Sequence, residues 1–331
     1  MPYFKEYDTI ILKQNIYQGD AHMRYVSFGN EGEKVSEVML GLMRIPDMDA
    51  QEVADLIRAG LDTGIDSLDN ADIYGGGRSE ELLGEVFAMS PSLRNAVFLQ
   101  TKCAIRLEED AVWYDHSKEH ILRSAENSLK KMRTDRIDSF LLHRPDALME
   151  PEEIAEAFTL LHDSGKVRYF GVSNYNPVMI DMLKEYLAFP ICTDQIQLSA
   201  AHTLPFNAGF QFNTPWEGAA MRDGGILEYC RMNEIVIQTW SSLQYGFFEG
   251  SILGSDLYPE LNKVLQRIAE EKGVTPAAVA VAWILRYPAK MQAVVGTTNP
   301  KHLRETAKAA DIELTRKEWY EIYVSAGNKL P

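Results

Sequence analysis

"SLDNADIYGGGRSEELLGE" runs from Ser67 to Glu85. It begins at the end of a short apolar run, "IDSLD" (65–69), and passes into an amphipathic one, "SEELLGEVFAM" (79–89). The first reads as a strand and the second as a helix. Between them lie Asp69, Asp72, Tyr74 and three successive glycines, Gly75–Gly77. The strand lacks the polar alternation of a half-exposed sheet. It therefore belongs in a parallel sheet with both faces covered. The fold turns on how often this strand–loop–helix unit recurs.

It recurs in both directions. Upstream, "VMLGLM" (38–43) precedes the helix "DAQEVADLIRAGLDTG" (49–64). Downstream, "AVFLQTK" (96–102) precedes 117–132, which Ser117 caps, and "IDSFLLH" (137–143) precedes 151–165, with Pro151 suited to a first helical position. "VRYFGVS" (167–173) is followed by 176–187, and "ICTDQIQL" (191–198) by a long irregular stretch (199–223) and the helix 224–233. "IVIQTW" (235–240) is followed by helices at 255–273 and 275–288. "QAVVG" (292–296) leads into 299–312 and a terminal helix at 315–327. Eight units favour an α/β chain closed into a (β/α)8 TIM barrel, with extra helices near the C-terminus. The first 36 residues alternate instead and are expected to form an N-terminal β-hairpin across the barrel bottom. No linker divides the chain, so residues 1–331 are expected to form one domain.

The formal charge of −15 repels phosphate backbones, which argues against nucleic acid as a partner. The three cysteines, Cys103, Cys192 and Cys230, share no metal-ligand or CxxC spacing. An odd count without a framework fits a reducing compartment. No signal-peptide pattern and no spanning apolar run is visible, so the expectation is a cytoplasmic protein with no membrane partner.

In such barrels the active site lies at the C-terminal ends of the strands. There the second strand ends in Asp69, with Tyr74 in the loop beyond. The third ends in Lys102, the fourth in His143, the fifth in Ser173 and Asn174, the sixth in Gln195 and Gln197, and the seventh in Trp240. Taken singly, each has an ordinary structural reading: a turn-forming Asp, a solvated Lys, a core His. Four such residues at successive strand ends argue for one site. A buried lysine needs a counter-ion, which Asp69 supplies. The lysine charge would lower the phenol pKa of Tyr74 and let it act as a general acid, while His143 orients a carbonyl by hydrogen bonding. The set needs no metal. Arg44 (after the first strand), Trp113 and Tyr114 ("VWYDH", 112–116) and Trp216 (long loop) are substrate-pocket candidates. Phe206, Phe210 and Phe212 in that loop suit an apolar lining, and Arg44 or Arg144 would favour an anionic substrate.

These residues together resemble the aldo-keto reductases. "SLDNADIYGGGRSEELLG" is similar to that family's first signature, with Asp69, Tyr74, Glu80 and Gly84 at the expected spacing. "TK" (101–102) and "LLH" (141–143) match the positions of the family's catalytic lysine and histidine. The resemblance covers roughly residues 35–326. It implies a catalytic set of Asp69, Tyr74, Lys102 and His143, and a nicotinamide coenzyme bound without a Rossmann fold. Ser173, Asn174 and Gln195 match the residues that hold the carboxamide, and Trp240, followed by Ser241, the aromatic that stacks on the nicotinamide. "GTTNPKHLRETA" (296–307) matches the adenosine-phosphate segment, with Gly296, Thr297, Thr298 and His302 facing the coenzyme. Gly296, His302 and Thr306 depart from the Lys, Arg and Asn common there, and Thr297, Thr298, Lys301 and Arg304 are the replacements at hand. NADP(H) is favoured, with NAD(H) as the other candidate, and the substrate is a small-molecule carbonyl compound. Two other readings compete: a coenzyme-binding regulatory or scaffold barrel, and a Schiff-base aldolase using Lys102.

Overall fold

The computed structural model describes residues 23–29, 32–108 and 111–331. The eight apolar runs form eight strands: β1 (Val38–Gly41), β2 (Ser67–Asp69), β3 (Phe98–Cys103), β4 (Ile137–Leu142), β5 (Val167–Ser173), β6 (Ile191–Gln197), β7 (Val236–Trp240) and β8 (Met291–Val295). They pair in parallel, each beside the next in sequence, and β8 returns to β1 to close a barrel. Burial on both faces is why they lack alternation: all six residues of β3 are buried, and all five of β8. The chain therefore has the (β/α)8 architecture its repeats imply.

Helices start where their caps predict. Asp49 accepts from the backbone N–H of Glu52, whose side chain answers at Asp49 N, and the helix Ala50–Leu61 follows. Ser117 caps Lys118–Lys131 by accepting from His120 N, and Pro151 opens Pro151–Asp163. The helices Pro259–Lys272, Pro276–Leu285 and Arg316–Ser325 lie around and after β8.

The strand Tyr25–Phe28 pairs antiparallel with Glu33–Ser36. Phe28 is fully buried, edge-on to Phe98 at 5.0 Å and to Tyr169 at 5.5 Å. Phe98 and Tyr169 lie at the starts of β3 and β5, so this hairpin packs on the N-terminal end of the barrel, opposite the candidate site. The remainder of the expected hairpin, residues 1–22, lies outside the described residues.

The stretch read as irregular and the loop after β3 both contain structure. The loop 199–223 holds the helix Leu204–Phe210 and a 3-10 turn at Glu217–Ala219. Phe206 is buried against Trp283, Tyr287 and Trp319 of the C-terminal helical layer, and Phe210 packs on Tyr323. These rings therefore fill core rather than line a pocket, while Phe212 is exposed. The physical reason is helical spacing: Phe206 and Phe210 are i and i+4 and share one face. After β3, Ile105–Leu107 and Val112–Tyr114 form a small antiparallel hairpin. No helix of the described residues is long and apolar enough to cross a membrane.

Candidate active site

The loop after β2 keeps to the edge of β3 before it leaves the barrel. Asn70 N donates to Gln100 O and Asp72 N to Lys102 O. Tyr74–Gly77 then make a 3-10 turn in which Gly75, Gly76 and Gly77 all have positive φ, at 58°, 65° and 95°. Three left-handed residues in succession are a conformation that only glycine adopts at low cost. The glycines are thus a defined turn rather than a flexible one, and it delivers the chain into the helix Arg78–Met89. Glu80 anchors that helix by accepting from Thr101 Oγ1 at 2.8 Å. Gly84 lets it meet the next helix, since a Cβ there would lie 2.0 Å from Lys131 O. At Gly75 an added Cβ would fall 2.4 Å from Pro46, whereas at Gly76 it would meet nothing within 4 Å. Gly75→Ala is therefore the sensitive substitution. It should move Tyr74 and lower turnover by roughly tenfold to a hundredfold with coenzyme affinity kept, while Gly76→Ala does less. Steady-state rates and coenzyme titration of both variants check this; equal effects would discount the Pro46 contact.

Three strand ends and the loop after β2 converge on one cluster. Lys102, fully buried, donates to Asp69 Oδ1 at 2.6 Å, to Asn70 O at 2.9 Å and to Tyr74 Oη at 3.2 Å. Those three contacts use all three ammonium protons. Burial pulls the lysine pKa down, but the Asp69 and Tyr74 interactions together hold it above the ordinary value. Tyr74 departs from expectation. Burial pushes its phenol up, Lys102 pulls it down by less, and the net direction is upward. Desolvation outweighs the cation because the hydroxyl sits in a crowded, water-poor position. His143 packs edge-on to the Tyr74 ring at 5.9 Å. Burial, reinforced by Lys102 and Arg144, holds its imidazole well below the usual histidine range, and its buried Nδ1 has no hydrogen-bond partner among the described residues. It is a neutral ring at physiological pH. Asp72, two residues before Tyr74, is pushed up to about 7 by burial and by Glu80, against the pull of Lys131.

Asp69 is held from below by a layer that the strand-end reading did not include. Gln100 Nε2 donates to Asp69 Oδ1 at 2.7 Å and Gln195 Nε2 at 3.1 Å. Both amides also donate to Gln238 Oε1, at 2.8 and 3.1 Å, and Gln238 Nε2 donates to Gln100 and Gln292. Gln292 ends the chain on Ser36 O at 2.6 Å. Gln238 thereby fills two donor and two acceptor positions. Branched apolar residues usually fill such barrels; here four buried amides do. The signal in the sequence was a Gln inside each of four apolar strands, with a second, Gln197, in β6. Gln195, matched to the carboxamide by resemblance, spends its amide protons on Asp69 and Gln238, which leaves its Oε1 as the atom that can accept from a carboxamide.

Across the mouth, Trp240 Nε1 donates to Asn174 Oδ1 at 3.0 Å, Asn174 Nδ2 to Ser173 Oγ at 2.8 Å, and Ser173 Oγ to Gln195 O at 2.7 Å. The backbone turns sharply just beyond the placed side chains. Ala104, Asn174 and Ser241 all have positive φ, at 89°, 60° and 53°. Strain of this kind gathers where a site over-determines its geometry. Phe248 stacks on Trp240 at 5.7 Å and Phe247 meets it edge-on at 5.9 Å. After β8, Gly296 and Thr297 are partly exposed and Thr298 and His302 exposed. Asn299 caps the helix Pro300–Ala307 by accepting from Lys301 N and His302 N. Arg304 is paired with Asp62 at 3.3 Å, and both are exposed.

The pocket candidates separate. Tyr114 lies near enough to Arg144 for its hydroxyl to interact with that charge. Trp113 is half-exposed with Arg106 5.4 Å from its ring, and Arg44 is exposed. Trp216 has Lys329 5.8 Å from its ring, and its loop is tied to the C-terminal tail through Gln211 and Lys329 O.

The aldo/keto reductase family model matches residues 37–324. The chain is 35% identical over 305 residues to a 6-dehydroglucose reductase of Agrobacterium fabrum, covering 89% of this chain and 96% of that one. It is 32% identical over 308 residues to the oxidoreductase YdhF of Escherichia coli K12, covering 91% and 97%. The crystal structure of the thermostable aldo-keto reductase Tm1743 superposes with a TM-score of 0.74 at 27% identity, over 92% of this chain and 100% of that one. Barrel, strand-end cluster and relatives agree, and the chain belongs to the aldo/keto reductase family.

Proposed function

We propose that this protein reduces the carbonyl of an aldehyde or ketone to an alcohol with NADP(H), and that Tyr74 is the proton donor. The observation that carries the reading is the buried chain Asp69–Lys102–Tyr74, whose phenol lies beside a neutral His143 at the barrel mouth. The residues suit a nicotinamide nucleotide. Trp240 is a ring held in orientation by Asn174, and 296–302 is an accessible segment leading into a helix N-terminus, where backbone N–H groups favour an anion. The Arg304–Asp62 pair is exposed and weak, so Arg304 is free to turn to a 2′-phosphate.

When bound, the reduced nicotinamide supplies a hydride to the carbonyl carbon. Tyr74 gives its hydroxyl proton to the oxygen as that atom gains negative charge. Lys102 stabilises the phenolate left behind, and Asp69 keeps Lys102 in place and charged. The neutral His143 ring donates an N–H to the same oxygen and orients it. Ser173 and Asn174 retain unused hydrogen-bonding positions for a carboxamide.

The test is oxidation of NADPH and NADH against aldehydes, quinones, α-dicarbonyls and ketosugars, alongside quenching of tryptophan fluorescence by coenzyme in the parent protein and in Trp240→Leu. Turnover with NADPH, and quenching lost in the variant, support the reading. Tight coenzyme binding with no carbonyl reduced would instead favour a coenzyme-binding regulatory barrel.

A further inference from the structure

Arg144 directly follows His143, and its guanidinium is the feature of the mouth that the reduction mechanism leaves unused. It lies 5.5 Å from the Trp240 ring centroid and 5.7 Å from that of Phe247. Tyr74 and Tyr114 are close enough to interact with its charge. Among the described residues, no carboxylate, carbonyl or hydroxyl oxygen lies within hydrogen-bonding or ion-pairing range of it. The aromatic faces stabilise the cation but leave its N–H donors unmet.

That is unusual in this molecule. Arg94, the other deeply placed arginine, donates to Asp138, to Thr134 Oγ1 and to the carbonyls of Val97 and Arg136. The chain carries 48 acids against 33 lysines and arginines, so carboxylates are plentiful. The acid nearest in sequence, Asp146, instead accepts from the backbone N–H groups of His116 and Leu148. A half-buried guanidinium without an acceptor is costly unless something supplies one. The coenzyme phosphates are poorly placed to do so. Their proposed segment follows β8, whereas the guanidinium lies by Trp240, the ring assigned to the nicotinamide end of the coenzyme, and beside Tyr74 and His143. The missing acceptor therefore arrives with the substrate.

We propose that Arg144 is the anion-recognition residue of the substrate site, selecting aldehydes or ketones that carry a carboxylate. The guanidinium presents paired donors that match a carboxylate in the two-bond, planar arrangement. It sits on the same rim as Tyr74 and His143, so one small molecule reaches both with its carbonyl and its carboxylate. This assignment rests on the carbonyl-reducing reading above.

The experiment compares kcat/KM for 4-carboxybenzaldehyde and 4-methylbenzaldehyde, with NADPH, in the parent protein, Arg144→Met and Arg144→Lys. The readout is the ratio of the two substrates within each variant. The expected parent ratio favours the carboxylate by at least about tenfold, carried mainly by KM. Arg144→Met should bring the ratio close to unity, and Arg144→Lys should restore part of it. A parent ratio near unity, or equal losses for both substrates, overturns the proposal. So does a parallel loss of coenzyme affinity in Arg144→Met, which would assign the cation to the coenzyme. If neither aldehyde turns over, the carbonyl reading fails, and calorimetry with 4-methylbenzoate then judges the anion site by itself. Binding lost in Arg144→Met supports the site, and no binding to the parent overturns it.

Discussion

Tyr74→Phe should remove carbonyl reduction and leave coenzyme binding intact. The phenol oxygen is the atom whose proton the mechanism uses, and it is the group Lys102 contacts at 3.2 Å. Removing it leaves the hydride acceptor without a positioned acid, at a cost of about 10²–10⁴ in kcat. The ring stays, so its edge-on contact with His143 and the glycine turn behind it are kept. Stopped-flow reduction rates with saturating NADPH check the first part, and fluorescence quenching the second. The pH profile adds a separate criterion. The Tyr74 pKa is raised above its ordinary 10.0, so the acid form persists through neutrality, and activity should fall only as pH rises through that higher value. His143 is held well below 6.5 and stays neutral over the same range. The rate should therefore be level from pH 7 to pH 9. A Tyr74→Phe protein that retains full activity, or a level lost between pH 7 and 8, would move the proton donor elsewhere.

Lys102→Met should cost both stability and activity, and the two losses are separable. The substitution strips Asp69 of its one ion-pair partner among the described residues, in a site where both side chains are nearly out of reach of water. Leaving one member of a buried pair alone costs about 3–5 kcal/mol, even though the intact pair is a weak stabiliser. Gln100 and Gln195 continue to donate to Asp69 and hold the loss toward the lower end. Activity falls further because the phenol loses the cation within hydrogen-bonding distance of it. The companion double variant Asp69→Leu/Lys102→Met leaves neither member of the pair buried alone. It should regain much of the stability in urea titrations and none of the turnover. Recovery of activity in the double variant would show that the pair serves only the fold.

Much of this arrangement was legible in the residues, and the parts that were not share a cause. Asp69, Lys102, His143 and Trp240 stand at strand ends because each apolar run stops at a polar residue. A closed parallel barrel then brings every such end to one rim. The cap at Ser117 was readable because capping is a local hydrogen bond made within one turn. The role of Phe206 and Phe210 was not. An aromatic in a loop is equally consistent with a pocket wall and with a short helix packed on Trp283 and Trp319. Only the docking of the C-terminal helices, about a hundred residues away in sequence, chooses between them. The direction of the Tyr74 shift was missed for a related reason. The cation was visible in the sequence, while the water excluded from the phenol depends on everything packed around it.

From its sequence alone, this protein is determined to be a closed barrel of eight strand–helix repeats with an acid, a lysine and an imidazole at three successive strand ends and a phenol in the loop after the first of them. That information is periodic and local, and it survives being read one segment at a time. The tertiary structure decided which groups touch. It placed Gln100, Gln195, Gln238 and Gln292, drawn from four different strands, into one amide layer beneath Asp69. It also left Arg144 without an acceptor among the described residues of an acid-rich chain. Contacts between strands distant in sequence form only when the barrel closes, and both the support of the site and its open cation come from that closure.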